Sequence, residues 1–149
     1  MQRRIRRVAL AFPLVLALSL AVAADDPRHV RHELMESVGD AAKTIGRMIK
    51  GEAPFDADSL NSSLQLFLDA SGELGSLFPP GTETGEDTRA APDIWHDRDG
   101  FELALGDFRA AVEAAIEESP DSLEEARPAV GPVFNACKNC HDRYRLEKD

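Results

Sequence analysis

The sequence predicts an all-α protein built as an antiparallel, up-down-up-down four-helix bundle, and three observations carry that prediction. Apolar residues recur at helical spacing in four blocks, no stretch alternates with the two-residue period of a strand, and the blocks are joined by two short connections and one longer one. Each block has one apolar stripe, so four in succession can close around a shared core.

Ahead of the blocks lies a stretch of another kind. Residues 1–24 open with Arg3, Arg4, Arg6 and Arg7, continue as an apolar run over 8–20, and end in the small residues Ala21-Val22-Ala23-Ala24. This is the order of a cleaved secretory signal, which leaves 25–149 as the mature bundle. Pro13 and the shortness of the run argue against a retained anchor, and no other stretch is apolar enough to span a membrane. The exported chain is expected in a bacterial periplasm. Its formal charge of −10 falls to −14 once the four leader arginines are removed. So acidic a chain repels phosphates, which argues against nucleic acid as a partner. A protein partner steered by charge is expected to present a basic patch.

The first helix is expected over 27–51, with Asp25 and Asp26 available as caps, Pro27 in the first turn and Gly51 at the end. Its stripe is Val30, Leu34, Val38, Ala41 or Ala42, Ile45 and Ile49. The second is expected over 56–78, burying Leu60, Leu64, Phe67, Ser71, Leu74 and Phe78, with Gly72 and Gly75 loosening its last turns. Pro79-Pro80-Gly81 stops it. A long loop over 82–95 follows, for which Trp95 is the natural anchor on the core. The third helix, 97–118, carries Phe101, Leu105, Phe108, Val112, Ala115 and Ile116 at heptad-like spacing and closes at Pro120. The fourth begins at 121 or 122, where Ser122-Leu123-Glu124-Glu125 offers a capping box, and runs to 146. Pro128 and Pro132 each remove a hydrogen bond from it, so a kink or a late start is expected.

On that last helix stand Cys137, Lys138, Asn139, Cys140 and His141. Cys-x-x-Cys-His is the pattern for covalent attachment of haem c, one per chain. Two cysteines three residues apart lie nearly on one helix face, so both sulfurs can reach the vinyl groups of a single porphyrin. The adjacent imidazole can then bind the iron from the proximal side. Other chemistries use part of the set. A redox disulfide belongs to a βαβ setting that is missing here, and a zinc site needs a fourth ligand that two cysteines and one histidine do not supply. A plain disulfide in an oxidising compartment remains open.

Further segments fall in a familiar order. They are Arg31-His32-Glu33-Leu34-Met35, Lys50-Gly51-Glu52-Ala53-Pro54-Phe55-Asp56, Pro80-Gly81-Thr82-Glu83, Pro92-Asp93-Ile94-Trp95, and Cys137 through Arg145. With these the chain resembles cytochrome c′ and its low-spin relatives, the class II c-type cytochromes. The resemblance covers nearly the whole mature sequence. It implies thioether bonds at Cys137 and Cys140, proximal ligation by His141, and Arg31 beside a haem propionate. His32 then matches a polar residue at the haem edge and Glu86 an acidic one near the propionates, while Arg145 matches an arginine that tunes the proximal imidazole. For Arg31, His32 and Arg145 the competing explanation is a solvated helix face. The resemblance also implies a homodimer through the first two helices.

Met35 occupies the distal position of that family. In the low-spin relatives a methionine there is the sixth iron ligand, which suits an electron carrier. In cytochromes c′ a residue at this position only packs, which leaves an open iron for NO or CO. A methionine on a helix stripe serves either end. The expected function is electron transfer by a periplasmic c-type cytochrome with Met35 as distal ligand, and the alternative is a five-coordinate protein that binds or sequesters NO or CO. A haem enzyme such as a peroxidase would need a polar distal acid–base group, and His29 and His32 do not replace Met35 on the expected face, so no enzymatic activity is expected.

Overall fold

The structure is a computed structural model that describes residues 25–85 and 88–147. The expected leader therefore lies outside the described residues. Four long helices make the bundle: α1 Pro27–Ile49, α2 Ala57–Glu73, α4 Arg98–Glu118 and α5 Leu123–Tyr144, with a short α3, Asp93–His96, in the long connection. Successive long helices pack against one another, as an up-down-up-down bundle requires. Around the ring the contact of α4 with α5 is the most extensive and that of α5 with α1 the least. Among the described residues there is no strand, only an isolated antiparallel bridge between Ala90 and Arg145, and no helix is long and apolar enough to cross a membrane.

The helix ends follow from local chemistry. Asp26 caps α1 by accepting from the Arg28 N–H, and Pro27 fits the first turn, where no N–H is needed. At the other end Lys50 is the cap and Gly51 turns into the left-handed region, φ 76°, which a side chain would resist. Arg127 of α5 reaches the same end and donates to the Ile49 carbonyl at 3.1 and 3.2 Å. Asp56 caps α2, Asp97 caps α4 and Ser122 caps α5.

Three details depart from the sequence expectation. The regular part of α2 stops at Glu73, and the chain tightens into a 3₁₀ turn, Leu74–Leu77, beside the two glycines. The loop thought to run through Trp95 already becomes helical at Asp93. Finally, α5 starts at Leu123 and runs through both prolines, so neither delays it. Pro128 and Pro132 are both exposed, one turn apart. The carbonyls they leave unpaired therefore belong to the solvent side, where water can satisfy them.

Two apolar clusters fill the bundle. The larger gathers Val38, Ile45, Met48, Leu60, Leu64, Phe67, Phe108, Val112, Val130 and Val133 with small residues between them. The smaller, at the end that carries the Cys-x-x-Cys-His motif, holds Leu74, Ile94, Phe101, Leu105 and Tyr144. Removing the Ser122 cap should cost α5 little but measurably. We expect Ser122→Ala to lower stability by about 1 kcal/mol, seen as a fall of roughly 4 °C in Tm.

Candidate haem site

The site is built on the last turns of α5, facing α1 across the least extensive seam of the bundle. Cys137 packs against the larger cluster and Cys140 against the smaller one. Both are free thiols and half-buried. Burial pushes the Cys137 thiol up to about 11 and the Cys140 thiol in the same direction, so both are held as S–H. His141 is half-buried beside them. Burial first, then the charges of Arg145 and Arg89, lower its pKa and favour the neutral imidazole, the form with a lone pair to donate.

Met35, half-buried on α1, packs against both clusters, as does its neighbour Leu34. The seam thus brings Met35 and the two cysteines to one end of the molecule. Two unbonded thiols on the core-facing side of a helix, a neutral imidazole next to them and an apolar thioether on the opposing helix are a donor set that fits haem c. Among the described residues no group of three or more His, Cys, Asp or Glu side chains is arranged to hold a metal ion.

Arg31 takes an unexpected place. Only 5% exposed, it is the one charged side chain in the buried set of the described residues. Its Nη1 donates to the Leu77 carbonyl at 3.2 Å and to Thr82 Oγ1 at 3.0 Å, and its Nη2 to the Thr82 carbonyl at 2.7 Å and Thr88 Oγ1 at 2.5 Å. The guanidinium also lies 4.8 Å from the Phe78 ring centre and 5.9 Å from that of Trp95. Desolvation and the nearby Arg28 charge pull its pKa below the ordinary arginine value. Arg31 is therefore the clasp between α1 and the long connection. His32 points away from it, exposed on α1, with Nε2 3.9 Å from Glu36. Glu86 lies outside the described residues. His29, also exposed, faces Glu33 at 3.3 Å.

The long connection is fastened to the end of α5. Ala91 N–H donates to the Tyr144 carbonyl at 3.0 Å and Leu146 N–H to the Arg89 carbonyl at 2.8 Å. The Arg89 side chain returns to the Leu146 carbonyl at 2.8 and 3.1 Å. That strap brings Arg89 close to His141, which no spacing in the sequence suggests. Trp95 anchors as expected, its indole N–H 3.3 Å from the Pro79 carbonyl and its ring edge-on to Phe78. Ile94, only 2% exposed, is the deeper plug.

A four-helix bundle whose last helix presents two free thiols and a neutral imidazole to its core end belongs to the class of c-type haem proteins built on a bundle. Comparison with known proteins makes this specific: a family profile described as Cytochrome C′ matches residues 26–145. The chain belongs to the cytochrome c′ family, non-enzymatic haem proteins that bind one covalent haem c through Cys-x-x-Cys-His. It is 36% identical to a cytochrome c′ of Rhodopseudomonas palustris over 97% of this chain and 99% of the relative. It is 30% identical to a cytochrome c-556 of the same organism, over 95% and 97%. The solved cytochrome c′ of Rhodopseudomonas palustris superposes with a TM-score of 0.80 at 35% identity, covering 85% of this chain and all of the other.

Proposed function

We propose that this chain is a periplasmic haem c protein whose iron keeps an open distal face for a small diatomic gas such as NO or CO, with electron exchange as its second capacity. In this reading Cys137 and Cys140 form the thioether bonds and His141 binds the iron from the proximal side. Haem c, when bound, supplies an iron that changes between ferric and ferrous and takes one further ligand on its free face.

One observation carries the open-face reading. Met35 is engaged in packing against both apolar clusters, which suits a side chain that closes the distal space with apolar surface. The sequence expectation is electron transfer with Met35 as ligand; the cytochrome c′ relative, which shares more identity with this chain than the c-556 relative does, favours the alternative. An apolar cover admits NO or CO and excludes larger or charged ligands. Arg31, its two Nη groups taken by the clasp, would offer a propionate its charge rather than a free Nη hydrogen, and His32 follows it on the exposed face. Glu86 completes the expected set. Residues 1–24 act as the export signal and 25–149 as the mature domain. A homodimer through α1 and α2 would use the groove between them lined by Leu34, Ser37, Asn61, Gln65, Leu66 and Asp69, and a redox partner would present a basic patch to the acidic chain.

The visible spectrum of the purified holoprotein, before and after NO or CO, tests the reading. We expect a high-spin spectrum that shifts on adding gas, with Met35→Ala leaving the spin state unchanged. A low-spin spectrum unmoved by gas, turned high-spin by Met35→Ala, would make Met35 the sixth ligand and the protein an electron carrier.

A further inference from the structure

The turn that carries Cys140 and His141 is locked to the start of α4 by a contact that lies outside the haem-binding set. Asp97 is its hub. One carboxylate oxygen caps α4 by accepting from the Gly100 N–H at 3.3 Å. The other accepts from the Tyr144 hydroxyl at 3.3 Å and pairs with Arg143 Nη2 at 2.6 Å. The hydroxyl contact is long for its type, and the guanidinium shares the same oxygen. Tyr144 is 5% exposed, and its ring stands edge-on to Phe101 with centroids 5.3 Å apart. Arg143, about half exposed, also reaches toward Asp93 Oδ2 at 3.7 Å. Its ion pair is screened by water and contributes little alone. The buried phenol is the part that fixes direction.

Gly100 is the mark this lock leaves on the sequence. It lies in the first turn of α4, although alanine is the better helix former. A Cβ there would come within 2.8 Å of the Tyr144 hydroxyl oxygen and closer still to the Asp97 carboxylate. The missing Cβ leaves room first for the Asp97 carboxylate and then for the phenol it accepts from.

Tyr144 stands three residues after His141 and four after Cys140, so all three lie on neighbouring faces of one turn. Whatever fixes the rotation of Tyr144 about the axis of α5 fixes theirs. We propose that Asp97 is a positioning residue for the haem-binding turn: by holding Tyr144 and Arg143 it sets the rotation of the end of α5 and hence the direction in which His141 presents its imidazole. The backbone strap from Arg89 to Ala91 fixes how far that end stands from the long connection, while Asp97 fixes how it is turned. The proposal rests on the haem reading above.

The test uses the haem-loaded protein and three variants. Tyr144→Phe removes only the hydroxyl, Asp97→Asn keeps the shape and a capping oxygen while losing the charge, and Ser122→Ala removes a cap at the far end of the same helix. Each is followed by Tm and by two reporters of imidazole pose, the ferric electron paramagnetic resonance spectrum and the iron–histidine stretching band of the ferrous protein. Tyr144→Phe and Asp97→Asn are expected to move both reporters, whereas Ser122→Ala lowers Tm and leaves them in place. Reporters unchanged in Tyr144→Phe, with Tm lowered as in Ser122→Ala, would make the contact structural only and overturn the proposal. Gly100→Ala, whose Cβ must push the Asp97 carboxylate aside and crowd the phenol, is expected to move the reporters in the direction Tyr144→Phe does, and its failure to do so would count equally against the lock. A wild-type chain that retains no covalent haem would overturn the underlying reading instead.

Discussion

A chain carrying both Cys137→Ala and Cys140→Ala, expressed with a haem-attachment system, is expected to retain no haem through acidified-solvent extraction or denaturing electrophoresis, whereas the parent chain stains for haem at its own mass. The reason lies in the bonds. Each thioether forms when an S–H adds across a vinyl group, so two sulfurs give two bonds and none remains in the double variant. Either single variant keeps one bond and is expected to hold haem in lower yield. His141 is present in all of them, so the loss would report attachment rather than iron ligation. Covalent haem persisting in the double variant would point to another attachment residue. A parent chain with no haem, its two cysteines joined instead, would return the motif to the plain disulfide that the sequence alone leaves open.

Arg31→Met should be the most damaging single change outside the apolar core. The new side chain fills similar space but leaves the carbonyls of Leu77 and Thr82 and the hydroxyls of Thr82 and Thr88 without their donor. Hydrogen bonds to a charged donor are each worth about 1.5–3 kcal/mol, and stranded acceptors in a buried place cost more than the bonds contribute. The Thr82 hydroxyl keeps the bond it already donates to the Pro79 carbonyl at 2.9 Å, so that residue loses a donor without being left wholly unpartnered. We expect a net destabilisation of roughly 4 kcal/mol, read as a lower urea midpoint with little change in slope. Arg31→Lys should recover less than half, because one ammonium cannot reach four acceptors arranged for a fork. A loss below about 1 kcal/mol in Arg31→Met would mean that the long connection is held by Ile94 and the strap, not by this clasp.

Much of this was legible in the sequence, for reasons of range. Helix ends depend on residues within one turn, and Pro27, Gly51, Asp56, Asp97 and Ser122 marked them within a residue or two. The stripes of α2 and α4 were equally plain, since Leu60, Leu64 and Phe67, and Phe101, Leu105, Phe108 and Val112, repeat at the helical period and are buried. The Cys-x-x-Cys-His motif was readable because its chemistry lies within five consecutive residues. Arg31 was not readable as a clasp. Its acceptors are 46 to 57 residues away, two of them main-chain carbonyls with no side-chain signature. The same holds for Asp97, whose capping role is local and plain while its contact with Tyr144 spans 47 residues. Pro128 and Pro132 misled in the opposite way: the local rule expected disturbance, but both fall on the solvent face of α5, where a missing hydrogen bond is replaced by water.

The least extensive seam of the bundle also has a meaning in the order of assembly. The pairs α1 with α2 and α4 with α5 each close a short loop, and α2 with α4 closes the long connection, each for a large return in contact. Closing α5 onto α1 joins the two ends of the described chain for the smallest return. That seam is expected to be the last to zip and the first to open in hydrogen exchange. A cofactor bonded to α5 alone and merely touched by α1 would then be carried into the bundle by the final helix, so that folding is completed around it.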